Sequence, residues 1–301
     1  MWNKAWRFVF VLTLMSAPLF AQNARSAVSL TGNDANACTT TAPCRSFDVA
    51  IAKTNAGGDI VALDSAGYGP FTVAKSISVS GAPGIHAAIT ATSGNAITVS
   101  AAPTDVVILR NLTLIGAGGN TGVSVGQSVG AVNLSNVTIA RFSEDGLYAL
   151  NASGTITVSD CRVMDNGNLG AGVSSHSTAF VRSEVAGSNI GIYVMSNAFA
   201  TVSACIITKN LTGISSSSGS VAGTTSVFVD DSVVVGNGTG LWAGAISGTC
   251  QLHLSNNLVY ANATGVDVST GGVIYTYADN AIDHNNTNVG ASVTLNVASK
   301  R

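Results

Sequence analysis

Three stretches of the chain read almost as one. Residues 202–214 are VSACIITKNLTGI, residues 229–241 are VDDSVVVGNGTGL, and residues 254–266 are LSNNLVYANATGV. In each, two apolar positions flank a small or acidic pair, an Asn follows, and Gly-apolar closes the unit. Short alternating runs of this kind are strands, and no helical period runs through them. Working outward, the closing pair recurs at Gly122-Val123, Gly146-Leu147, Gly172-Val173, Gly191-Ile192, Gly213-Ile214, Gly240-Leu241, Gly265-Val266 and Asn288-Val289. Successive steps are 24, 26, 19, 22, 27, 25 and 23 residues. Such a period, without the Leu lattice of leucine-rich repeats, predicts an all-β solenoid in which each turn of chain stacks on the last.

Stacking turns distant residues into columns. One inward column is expected to run Leu134, Val158, Val181, Val202, Val229, Leu254, Tyr277. A second is expected to run Ile139, Val163, Ala186, Ile207, Val234, Val259, Ile282. The recurring Asn166, Asn189, Asn210, Asn237, Asn262 and Asn285 fall at a turn, where stacked amides bond along the axis. Earlier alternating runs (residues 60–63, 71–73, 77–79, 97–99, 106–109 and 112–114) fit the same coil less regularly. Before them, residues 46–53 carry Phe47, Ala50 and Ile51 at helical spacing, and Gly57-Gly58 is expected to stop that helix. A solenoid end exposes unpaired strand groups, so this short helix is read as the N-terminal cap. Residues 293–297 at the far end have no such cover.

Composition agrees. The 301 residues include 13 Lys and Arg and 15 Asp and Glu, with mean hydropathy +0.39, which excludes a disordered polyelectrolyte. A net charge of −2 without a basic run argues against a nucleic-acid partner. Residues 1–21 carry Lys4 and Arg7, a short apolar run from Phe8 to Phe20, and then Ala21. This reads as a signal peptide cleaved after Ala21, too short to span a membrane, and it predicts a secreted or periplasmic protein with no later membrane span. The domain plan is then 1–21 signal peptide, 22–59 cap, 60–301 coils. Cys38 and Cys44 bracket a five-residue loop short enough for a local disulfide, while Cys161, Cys205 and Cys250 read as buried apolar residues. No zinc spacing is present, no cofactor is implied, and calcium finds no support, because Asp160, Asp231 and Asp279 align two or more turns apart.

The coil motif resembles secreted right-handed parallel β-helix proteins of the pectate-lyase-like superfamily, single-stranded solenoids. The opening stretch, Gly32-Asn-Asp34, Cys38 to Phe47, residues 57–64 and Gly67-Tyr-Gly-Pro70, also resembles an uncharacterised proteobacterial branch. The resemblance implies an extracellular polysaccharide as partner and leaves activity open, since that superfamily holds lyases, hydrolases, epimerases and non-catalytic proteins. Its familiar catalytic motifs are missing. Asp230-Asp231 stands without a Gly-His-Gly or an Arg-x-Lys, no Pro follows Pro103, and there is no Asp-Pro.

Two surface columns carry chemistry. The position after Gly-apolar reads Ser124, Tyr148, Ser174, Tyr193, Ser215, Trp242, Asp267, which puts aromatics on alternate turns about 10 Å apart. Tyr148, Tyr193 and Trp242 are the expected polysaccharide-binding residues. The second face reads Asn133, Thr157, Phe180, Thr201, Phe228, His253, Thr276 beside Ser135, Ser159, Arg182, Ser203, Asp230, Ser255, Ala278. Arg182, Asp230 and His253 would share a strip there, with an Arg for a uronate and two groups for moving a proton. Arg141 and Asp165 occupy equivalent positions and are expected to pair. His176 is read as inert. Two expectations stand: a secreted, non-catalytic or weakly catalytic β-helix that binds polysaccharide, and a divergent lyase, hydrolase or epimerase of an acidic glycan. A surface module without a glycan is a third.

Overall fold

A computed structural model describes residues 22–150, 152–174, 177–218 and 223–298. The expected signal peptide and His176 lie outside the described residues. The described chain winds as a parallel β-solenoid with three faces. Sheet A has twelve strands, and sheets B and C have ten each. Over residues 131–260 each turn runs from sheet A through a two-residue corner to a short strand of sheet B, round a second corner to sheet C, then back by a loop to sheet A. All strand pairs are parallel, as a coil stacking on itself requires.

The corners follow from residue type. The first residue of the A-to-B corner is left-handed at Asn111, Asn136, Asp160, Arg182, Ala204, Asp231 and Asn256, with φ between 46° and 55°. The B-to-C corner repeats this at Arg141, Asp165, Lys209, Ala261 and His284. Asn and Asp tolerate that conformation best. The inward residue is the second before the corner, and this decides three register questions. Phe180, not Val181, stands between Val158 and Val202. Val185, not Ala186, stands between Val163 and Ile207. Thr276, not Tyr277, follows Leu254. At each place two neighbouring residues could both go inward, and the corner, not the apolar character, selects.

The Asn ladder is present over the last turns. Asn210 Nδ2 donates to Asn237 Oδ1 at 3.1 Å, Asn237 to Asn262 at 3.0 Å, and Asn262 to Asn285 at 2.9 Å. Each side-chain oxygen also accepts a backbone N–H from the turn before, and each amide nitrogen donates to a strand carbonyl. Asn189 is not a rung. Ser188 holds that place, and its N–H donates to Asn210. Gly213 is Gly for a steric reason: a Cβ there would sit 2.5 Å from the carbonyl oxygen of Gly240 in the next turn.

The expected short N-terminal helix is present, with one shift. Helix α1 spans Phe47–Lys53 and buries Phe47, Ala50 and Ile51. It stops at Thr54, before the expected Gly57-Gly58, which lie inside the strand Thr54–Ala62. That strand pairs with Asn23–Val28 and runs across the expected 59/60 boundary, so cap and coil share sheet A. Cys38 and Cys44 are disulfide-bonded. Phe47 packs on Tyr68 and Phe71 at 5.2 and 4.9 Å. Among the described residues no helix is long and apolar enough to cross a membrane.

Candidate functional site

The outer face of sheet C is shaped by strand alternation. In Ile190–Met195, Thr212–Ser218 and Thr239–Ala245, the repeat Gly and the apolar residue after it turn to the core, so the next residue points outward. Register stacks these outward residues as Ser124, Tyr148, Gly172, Tyr193, Ser215, Trp242, Asp267. The expected Ser174 is replaced by Gly172, because Gly170-Ala171, not Gly172-Val173, stacks between Gly146-Leu147 and Gly191-Ile192. The three aromatics therefore stand on alternate turns, about 10 Å apart, with a small residue in each gap. Around the second gap lies a groove of about 470 Å³, lined by Ile190, Tyr193, Thr212, Ser215, Ser217, Thr239, Trp242 and Asp267.

One wall of that groove went unnoticed in the sequence. Thr212, Thr239, Thr264 and Thr287 pair in register as a row of hydroxyls beside the aromatic column. The signal was the Thr before the repeat Gly, visible at three consecutive units. Gly244 supports the indole: a Cβ there would meet Trp242 Cζ2 and Cη2 at 2.5 Å, so the ring lies directly on the glycine of its own strand.

The outer face of sheet A is organised differently. Ala179 and Tyr275 occupy the places expected for Phe180 and Thr276. Phe228, His253 and Tyr275 consequently stack, with centroids 4.2 and 4.7 Å apart and planes 5° and 13° from parallel, and Phe199 tilts against Phe228 at 5.4 Å. His253 Nε2 faces Gln251 Oε1 at 3.3 Å, and burial between the rings lowers its pKa. Asp230 is one register position from Ser203 and Ser255, and no hydrogen bond joins it to His253. Arg182 is not on this strip. Val181 takes the outward place, and Arg182 turns at the corner, where its Nε and Nη2 donate to Asp160 at 2.8 and 2.9 Å. That hydrogen-bonded pair holds Asp160 below the ordinary carboxylate range. The strip thus keeps two of the three expected groups, apart from each other. Arg141 and Asp165 do occupy equivalent corners, yet they form no ion pair. Asp231 accepts from Asn256, and Asp279 lies near Ser255. No group of three metal-binding side chains occurs among the described residues.

Fold, register and corner chemistry define a parallel β-helix whose outer faces carry side-chain columns. Residues 88–247 match the right handed beta helix region family, and the chain belongs to it. Among solved structures, a rhamnogalacturonan lyase superposes with TM-score 0.60 at 13% identity, covering 83% of this chain and 75% of that one. A pectate lyase superposes with TM-score 0.55 at 16% identity, covering 92% and 77%. The enzymatically active domain of a bacteriophage CBA120 tailspike protein gives 0.54 at 12% identity, covering 82% and 48%. No curated protein matches the chain in sequence.

Proposed function

We propose that the protein is an exported β-helix that binds polysaccharide along the outer face of sheet C. The observation that carries this reading is the alternation Tyr148, Gly172, Tyr193, Ser215, Trp242 in strand register. Rings on alternate turns can meet the apolar faces of sugar rings. The groove between Tyr193 and Trp242, with Ser215 at its base, is where they do so, since Leu169 and Leu150 cover Gly172 in the first gap. The Thr row supplies hydroxyls for the sugar rim. Sheet A offers less. Its rings face one another, so a sugar would meet only their edges, and His253 has no carboxylate to orient it. The Cys38–Cys44 disulfide supports an oxidising, extracytoplasmic compartment. The lyases superposed above act on the polymers they are named for, and that theme agrees with a polysaccharide ligand.

The test is retention on immobilised polysaccharides. Tyr193→Ala and Trp242→Ala are each expected to weaken retention roughly tenfold or more, as loss of a central aromatic anchor does. Phe228→Ala on sheet A is expected to change it little. Retention unaltered by both sheet C variants would overturn the reading.

A further inference from the structure

The groove between Tyr193 and Trp242 carries an electrostatic statement about its ligand. Polar groups on its walls are hydroxyls: Thr212, Thr239, Ser215 and Ser217. Its only charged lining residue is Asp267, which continues the aromatic column one turn beyond Trp242. No Lys, Arg or His lines it. The nearest cation in chain order, Lys209, belongs to the preceding corner.

We infer that sheet C takes a neutral polysaccharide and discriminates against uronate polymers; this rests on the polysaccharide reading of that face. A site for a uronate has to replace the water around each carboxylate, and fixed cations or forked Arg donors ordinarily do so. Here a carboxylate lying over Ser215 would find hydroxyls on one side and Asp267 on the other. Hydroxyls hydrogen-bond a carboxylate without neutralising it, and the like charge of Asp267 opposes it. A neutral sugar needs neither correction. Its hydroxyls exchange with the Thr and Ser hydroxyls, and its apolar face meets the rings. None of the nine arginines and lysines among the described residues lines the groove. Arg25 pairs with Asp59, Arg182 is held by Asp160, and Arg162 by Glu184 at 3.0 Å, while Arg110, Arg141 and Lys209 lie outside its walls. Lys53 and Lys75 donate to backbone carbonyls in the N-terminal turns. The ligand class follows from this chain's own lining, and it differs from the acidic polymers on which the two superposed lyases are named to act.

The experiment is affinity electrophoresis of the full exported chain in gels containing a soluble neutral β-1,4-glucan, a neutral mannan, polygalacturonate or polymannuronate, at low and at 0.5 M salt. The expected result is retardation by at least one neutral polymer, at least roughly tenfold stronger than by either uronate and unchanged by salt, since no ion pair is formed. Trp242→Ala abolishes it. Asp267→Lys narrows the ratio by raising uronate retardation, and that gain fades in 0.5 M salt. Stronger retardation by a uronate that is lost in Trp242→Ala would overturn the neutral-ligand inference and leave the polysaccharide face standing. Retardation by none of the four, or retardation unmoved by Trp242→Ala, would overturn both.

Discussion

At the scale of single residues, two side chains make claims that a substitution can check. Gly244 is the floor beneath Trp242, and a methyl group there would collide with the indole at 2.5 Å. Gly244→Ala is therefore expected to displace the ring and reduce polysaccharide retention several-fold while the melting temperature changes little. The collisions, with the indole and with Ser269 Oγ, are with side chains that can swing away and not with backbone. Asp145 makes a claim about pH. It is buried, accepting from the Leu169 N–H at 3.1 Å and Asn168 Nδ2 at 3.0 Å. Burial raises its pKa more than these bonds lower it, and Glu144 beside it adds to the rise. The folded chain therefore holds this proton more tightly than the unfolded chain does, and the contribution to stability falls as pH rises through the ordinary carboxylate range. Asp145→Asn keeps an oxygen to accept both bonds and removes the charge. It is expected to raise the melting temperature at pH 7 and to give no gain at pH 3. Thermal unfolding at the two pH values checks this, and equal gains at both would contradict it.

At the scale of elements, the ladder at the B-to-C corner has one broken rung. Asn166 Nδ2 and Ser188 Oγ lie on adjacent turns, both buried and both without a hydrogen-bond partner. The rungs from Asn210 onward are satisfied on both sides. Ser188→Asn would give Asn166 an acceptor and extend the ladder by one turn. One added buried hydrogen bond contributes about 1 kcal/mol, roughly 2 °C for a chain of this size. A lower melting temperature would show that the corner cannot hold the larger side chain. This element also shows where the sequence was legible. Asn210, Asn237 and Asn262 lie in units whose corners have the same length, so their stacking could be read directly. Residues 172–189 include the shortest step between units, and the misplaced residues there are displaced by two at Ser174 and by one at Val181, Arg182, Ala186 and Asn189. A one-residue slip reverses inward and outward in a strand, which is how Arg182 came to be placed on a catalytic strip. The left-handed corner residue would have set the register, but Arg182 and Ala204 at that place give no Asn or Asp signal.

At the scale of the molecule, the solenoid converts a period of about two dozen residues into ridges along one axis. The period and the aromatic ridge were legible because each rests on a repeated pattern, and the short helix because Phe47, Ala50 and Ile51 stand at helical spacing. The Thr row, the Phe228–His253–Tyr275 stack and the pairing of Asn23–Val28 with Thr54–Ala62 were not, since each depends on register between turns of unequal length. The faces also divide the chemistry. Sheet A spends its ring faces internally, whereas sheet C holds its rings two turns apart and lined by hydroxyls. The chain contains three Trp, and Trp2 and Trp6 fall within the expected signal peptide, so a chain starting at Gln22 has Trp242 as its sole indole. Its emission therefore reports directly on the proposed ridge. Titrating the exported form with a retained soluble polysaccharide is predicted to give a saturable blue shift of Trp242 emission, with the same midpoint as retention. Retention that saturates while the emission stays fixed would place the ligand on another face and contradict the account.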